Sequence, residues 1–331
     1  MKYSDIDFND KTVVITGGAG FIGSNLAFYF QENYPECKVI VFDKFRSEET
    51  FSNGNLKSFG HFKNLLGFNG IIISGDINNK DDLKRLEEYD IDYIFHEAAI
   101  SDTTVADQKI MIDTNVNAFK DLCDLAVKKN ASMIYASSAA TYGNSDIFKV
   151  GYEKPNNVYG FSKLMMDNLA KEYYDKIRIM GLRYFNVYGP REYFKNKTAS
   201  MVLQFGLQLL KGESAKLFEG SDKIKRDFIF VEDVIQANIK ACEADKNGVY
   251  NVGTGKARSF QDIVDILKKE LNIKREDTYI PNPYIGQYQF FTEADIEDTK
   301  KHLGYKPRFE LEDGIKAYLP EIVRVWKDEV K

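Results

Sequence analysis

Tyr159 and Lys163, in the run NVYGFSK, stand four residues apart in a helical pattern and so share one face. A free tyrosine hydroxyl loses its proton near pH ~10, too high for a base at neutrality. A positive charge beside it favours the phenolate and lowers that value. Upstream, YASSAATYG offers Ser137 and Ser138, and Ser138 could share a substrate hydroxyl through a hydrogen bond. Downstream, YFNVYGPREYFKNKTAS (residues 184–200) carries Arg191, Glu192, Lys195 and Lys197 just after Gly189-Pro190. Most charged loop residues are merely solvated, so whether one of these four moves a proton depends on what the loop faces.

These side chains need a scaffold, and the apolar pattern supplies one. Strands are expected at Thr12–Thr16, 38–42, Ile71–Ser74, Tyr93–His96 and 132–136, with helices at 23–33, 81–89 and 104–129 between them. Short apolar strands alternating with helices indicate an α/β fold, a Rossmann-type doubly wound parallel sheet covered on both faces. Ser137 and Ser138 then sit at a strand's C-terminal edge, where open α/β sheets bind ligands. After about residue 186 the rhythm loosens. A strand at 228–231, a helix at 234–243 and a strand at 249–252 are expected to rejoin the sheet, and a helix over 311–328 to close the chain. This divides the chain into a dinucleotide-binding domain (1–185, about 228–250 and 290–297) and a smaller, discontinuous C-terminal α/β substrate domain (186–227, 251–289 and 298–331).

The run TGGAGFIGS follows the first strand and opens a helix. Gly17, Gly20 and Gly23 form a spacing variant of the dinucleotide fingerprint, in which a side chain would hold a pyrophosphate away from the helix N-terminus. Asp43, twenty residues past Gly23, would accept the adenosine ribose hydroxyls and favour NAD+, whereas Lys44 and Arg46 could neutralise the 2′-phosphate of NADP+. NADP+ is placed ahead of NAD+, one per subunit. Asp76 and Ile77 would flank the adenine, and HEAAI would end the fourth strand against the cofactor. His96 lies on an apolar strand and reads as packing rather than catalysis.

With 331 residues, 44% hydrophobic and 29% charged, the chain can bury a large core. Its net charge of −5, from 45 basic and 50 acidic residues, sets up no field for nucleic acid, although KIKR (residues 223–226) could meet a small anion. Cys37, Cys123 and Cys242 are too scattered for a disulfide framework or a zinc site, which points to a reducing compartment. The acidic N-terminus lacks a signal-peptide layout, and no apolar run reaches bilayer length, so a cytoplasmic protein without membrane partners is expected.

The order TGGAGFIG, SSAATYG, YGFSK resembles the extended short-chain dehydrogenase/reductase superfamily. RYFNVYGPRE, KLFEGSDKIKRDFIFVEDV, NVGTG and GQYQFFTEAD narrow the resemblance to the ADP-L-glycero-D-manno-heptose 6-epimerases, from about residue 11 onward. The first ten residues and some length between Arg46 and Gly75 lie outside that pattern. The resemblance implies an NADP+-dependent isomerase that inverts C6″ of ADP-D-glycero-D-manno-heptose for lipopolysaccharide core synthesis, working as a homo-oligomer. It implies Tyr159 and Lys195 as opposed acid/bases aided by Ser138 and Lys163. Phe21, Ile22, Lys80, Glu97, Ala98, Ala99 and Val187 would join the cofactor set. Ser101, Asn186, Gln204, Phe218, Glu219, Gly220, Ser221, Arg226 and Tyr288 would hold the substrate. Lys197 stands where the family has a small hydroxyl residue, so its part in substrate binding is an open expectation. A UDP-hexose 4-epimerase is the nearest rival, and there Lys195 would be idle. A 4,6-dehydratase would need an acid and a base where Ala139, Ala140 and Thr141 stand. A cofactor-sensing module without turnover would be expected to lack Tyr159 or Lys163.

Overall fold

A computed structural model describes residues 1–282 and 290–331. In chain order the elements are β1 (Thr12–Thr16), α1 (Phe21–Asn33), β2 (Lys38–Asp43), β3 (Ile71–Ser74), α2 (Lys80–Lys84), β4 (Tyr93–His96), α3 (Gln108–Ile112), α4 (Ala118–Lys129), β5 (Ser132–Ser138) and α5 (Val158–Ala170). Next come β6 (Ile179–Tyr184), β7 (Asn186–Tyr188), α6 (Met201–Leu210), β8 (Lys216–Phe218), β9 (Lys225–Phe230), α7 (Val231–Ala241) and β10 (Gly248–Val252). The last are β11 (Ala257–Ser259), α8 (Phe260–Leu271), β12 (Thr278–Ile280), α9 (Glu297–Leu303) and α10 (Leu311–Val325).

The run TVVIT is buried along its whole length because alternate side chains feed two different cores. Val13 and Ile15 pack with Leu26 and Phe30 of α1 and with Ile235 and Ile239 of α7. Val14 packs on the other face with Phe119 and Leu122 of α4 and Met166 of α5. The resulting seven-stranded parallel sheet has the order β10-β6-β5-β4-β1-β2-β3. The chain steps outward from β1 to β2 and β3, then crosses back to β4 on the other side of β1, so a crevice opens at the C-terminal ends of β1 and β4. A third core, built from α6, α8 and α10 against Phe228 and Phe230 of β9, forms the other wall.

Two expectations are corrected, and one strand was not foreseen. The helix expected at 104–129 starts at Gln108, capped by the Asp107 carboxylate, and is broken by a π-turn at Asp113–Asn117. That turn drives Asn115 inward, where it clasps the Ile100 backbone (N–H to Oδ1 2.8 Å, Nδ2 to O 3.0 Å) and the Ser162 hydroxyl (3.0 Å). Only β10 rejoins the large sheet. The strand expected at 228–231 is β9, which pairs instead with β7 and β11. β6, fully buried between β5 and the edge strand β10, was hidden in the sequence by Arg183, whose charge breaks an apolar run. Among the described residues no helix is long and apolar enough to cross a membrane.

Candidate active site

A cavity of about 1000 Å³ occupies the crevice and runs from the glycine turn to β9. At one end Gly17 adopts φ +68°, and a Cβ there would lie 2.7 Å from the Ala98 nitrogen. A Cβ on Gly23 would lie 2.3 Å from the Gly17 carbonyl oxygen. Glycine is therefore dictated at both positions, and the turn delivers the start of α1 to the cavity wall. That helix has no side-chain cap at Gly20 and no acidic residue in its first turn. Its unpaired N–H groups and positive dipole end suit a pyrophosphate.

Asp43 lines the same end. Its carboxylate accepts from the Ala19 N–H (2.9 Å) and the Phe45 N–H (2.7 Å), while burial pushes its pKa up. Lys44 pairs with Asp76 at 2.8 Å; although burial opposes it, that contact and the Asn78 N–H hold the Asp76 carboxyl below its usual value. Ile77, Ala98, Ala99 and Ser101 also line the cavity. Arg46 does not. Its guanidinium donates to the Phe194 carbonyl and lies over the Phe194 ring, which stacks on His61. Lys80 faces outward and pairs with Asp121 at 3.4 Å. His96 is a packed side chain, bonded to the Thr16 hydroxyl at 2.7 Å and stacked on Phe119, with burial pulling its pKa down to about 3.

In the middle of the cavity stand Ser138, Tyr159 and Lys163. Asn157 caps α5 by accepting from the Gly160 N–H at 2.8 Å, which fixes the turn that carries Tyr159. The Ser138 hydroxyl favours the Tyr159 phenolate, but burial dominates and, with the charge of Glu97, raises the phenol above its ordinary value. The lowering expected from Lys163 is not what the protein alone produces. Lys163 is 6.0 Å from the Tyr159 ring centre and donates to the Ala136 carbonyl at 2.7 Å. Burial pulls Lys163 itself down to about 8, against the pull of Glu97 and Asp167. A further positive charge beside the phenol would lower its pKa.

Of the four loop charges, only Lys195 lines the cavity. Arg191, at φ +74°, turns away to the Asn64 carbonyl (2.6 Å) and covers the Phe28 ring. Glu192 is buried and staples the loop by accepting from the Ser200 N–H and hydroxyl, both at 2.6 Å. Lys197 is exposed. The Lys195 ammonium lies 5.5 Å from the centre of the Phe21 ring, and burial lowers its pKa against the attraction of Glu192. Asn186, Val187 and Arg226 complete this end. The Asp227 carboxylate is taken up by the N–H groups of Thr254, Gly255 and Ala294.

Several expected substrate contacts lie elsewhere. Gln204 donates to the Ala199 carbonyl at 2.7 Å and stays out of the cavity wall. Phe218, Glu219, Gly220 and Ser221 form the end of β8 and its turn, also outside that wall, with Glu219 and Gly220 exposed. Tyr288 lies outside the described residues.

Sequence reading missed two features. Phe51, Leu56, Lys57, Ser58 and Phe59 line the cavity from a small hairpin in which Thr50 pairs with Leu56. Asn53 and Asn55 fasten it to Asp102 at 2.9 and 2.7 Å, and Phe51 packs into the cluster around Tyr159. Behind Ser138, Asp167 accepts from Arg183 (3.0 and 2.8 Å), Ser137 (3.0 Å) and Tyr135 (3.0 Å), tying α5 to β5 and β6. The buried position of Asp167, one helical turn past Lys163, was the available signal for this network.

The NAD dependent epimerase/dehydratase family matches over residues 13–253. The crystal structure of the ADP-L-glycero-D-manno-heptose-6-epimerase of Helicobacter pylori is similar at 52% identity and a TM-score of 0.90, over 98% of this chain and 99% of that one. The UDP-glucose 4-epimerase of Thermotoga maritima with UDP-glucose is similar at 27% identity, TM-score 0.83, over 95% and 99% of the two chains. The UDP-glucuronic acid 4-epimerase of Bacillus cereus with UDP-glucuronic acid and NAD is similar at 27% identity, TM-score 0.80, over 95% and 99%. A match that runs from β1 through β10, on a sheet of the same kind, carries one conclusion: the chain belongs to the NAD dependent epimerase/dehydratase family.

Proposed function

We propose that this protein inverts C6″ of ADP-D-glycero-D-manno-heptose to give the L-glycero epimer, using one tightly held nicotinamide dinucleotide per subunit, NADP+ ahead of NAD+. The observation that carries this reading is Lys195 in the same cavity as Tyr159, on a separate element and with a pKa lowered by burial. C6″ is a carbinol carbon with no neighbouring carbonyl, so its C–H bond is not acidic and direct deprotonation is closed. The bound dinucleotide supplies transient oxidation at this carbon, by accepting hydride and later returning it. The glycine turn, the start of α1 and Asp43 would hold it.

The protein's own residues then manage protons and orientation. For the hydride to return to the opposite face, the end of the sugar bearing the 6″-ketone must turn, and its oxygen moves. One fixed acid/base cannot reach both positions within hydrogen-bond distance. Tyr159, with Ser138, serves one position and Lys195 the other. Arg226 would meet the diphosphate, and Asn186 the sugar. The similarity to the heptose epimerase of Helicobacter pylori supports the choice of sugar. The test is to incubate purified protein with ADP-D-glycero-D-manno-heptose, and separately with UDP-galactose, and follow configuration by NMR. Inversion at C6″ of the heptose is expected. Turnover of UDP-galactose without heptose inversion would overturn the reading in favour of a 4-epimerase.

A further inference from the structure

Glu97 is an unusual side chain to find in this wall. It directly follows β4, lines the cavity beside Ser138, Tyr159 and Lys163, and is largely withdrawn from water. Any side chain of similar size would fill the space, whereas a carboxyl there must be solvated by the protein or else stay neutral. The fold provides a dedicated holder. The Tyr184 hydroxyl donates to Glu97 Oε1 at 2.8 Å, and Asn238 Nδ2 donates to the Tyr184 oxygen at 2.8 Å. Asn238 Nδ2 also donates to the Val234 carbonyl at 2.9 Å, which fixes its amide and leaves the tyrosine hydrogen free for Glu97. Three elements cooperate here: the end of β4, the end of β6 and the middle of α7. Tyr184 is also the register partner of Ser138 across β5 and β6, which sets the carboxyl in the middle of the cavity, near Ser138.

The charged group that bears on Glu97 is Lys163, but its ammonium donates to the Ala136 carbonyl. Glu97 is pushed up to about 7 by burial, against the Tyr184 hydrogen bond and the Lys163 charge, so its ionisation is balanced near neutrality. A further positive charge in the cavity would tip it toward the carboxylate. The same negative charge discourages the Tyr159 phenolate. It therefore hinders the base when the cavity holds no compensating cation. Its chemistry suits something else that gains and loses positive charge at this point.

Resting on the nicotinamide reading above, we propose that Glu97, held by Tyr184 and Asn238, is the counter-charge to the oxidised, cationic nicotinamide ring and makes the protein favour the oxidised over the reduced dinucleotide. An enzyme that must begin and end each turnover with oxidised cofactor gains from this bias. It keeps the ketone stage short-lived and limits loss of the reduced form.

The test is the affinity of dinucleotide-stripped protein for NADP+ and for NADPH, measured by calorimetry and by nicotinamide fluorescence, in the parent protein and in Glu97→Gln. The glutamine keeps the size and can still accept from Tyr184. The preference for NADP+ over NADPH is expected to fall by about tenfold or more, equivalent to about 1.4 kcal/mol. Tyr184→Phe, which removes the bond that favours ionised Glu97, is expected to move the ratio in the same direction by less, and it decides the matter if the glutamine variant does not fold. A ratio unchanged within about twofold in the folded variants overturns the proposal, since ring charge is the difference the carboxylate would sense. Failure of the parent protein to bind either form of NADP, or NAD+ and NADH, would instead sink the cofactor reading, and this inference with it.

Discussion

Lys195 reaches the cavity because its neighbours are otherwise engaged. Arg191 bonds to the Asn64 carbonyl, Glu192 staples Ser200, and Lys197 stays in solvent, so the loop presents one ammonium inward. The sequence offered four charges there with no means to rank them by spacing; resemblance alone pointed to Lys195. The ranking is tertiary, set by left-handed backbone at Arg191 and Asn196 that no local propensity announces. Tyr159, Lys163 and Ser138 were legible, because a helical period and a strand end fix where they point. The state of Tyr159 was not, since burial outweighs the charges that sequence neighbours suggest. Lys195→Ala is expected to retain bound dinucleotide, seen in the absorbance of the purified protein, and to slow C6″ inversion about 10²-fold or more. Undiminished turnover in that variant would remove Lys195 from the mechanism.

At the level of elements, the parallel strands and the glycine turn were readable because each buries a continuous apolar run or answers a backbone requirement. β6 was not, because Arg183 sits inside it. That charge is tolerated through a buried pairing with Asp167 of α5 and Glu153 of the loop before it. Removing one partner strands the others, so Arg183→Met is expected to destabilise the protein by roughly 3–5 kcal/mol in urea unfolding. A change under about 1 kcal/mol would mean that the network is incidental. α6 and α8 were equally missed, in the region where polar loops blur the period. The hairpin over the cavity was invisible for another reason: it is held by Asn53 and Asn55 reaching Asp102, contacts 49 and 47 residues apart. Asp102→Ala is expected to speed dinucleotide release about tenfold or more in stopped-flow displacement, since hydrogen bonds to a charged acceptor are worth about 1.5–3 kcal/mol. An unchanged release rate would show that the hairpin does not hold the ligand.

Across the whole molecule, the seven-stranded sheet puts the cofactor turn and the Tyr159 helix on one crevice, and the core around α6, α8 and α10 brings Lys195 and Arg226 to its far wall. The first half of this arrangement was legible in the sequence. The second half was not, because β9 leaves the main sheet to pair with β7 and β11. The function proposed above requires that hydrogen leave C6″ and return to it without passing through water. The most direct test is to run the inversion of ADP-D-glycero-D-manno-heptose in D2O and read C6″ by NMR. The account predicts an inverted product that keeps protium at C6″, with no net accumulation of reduced dinucleotide. Deuterium at C6″ of the inverted product would contradict it.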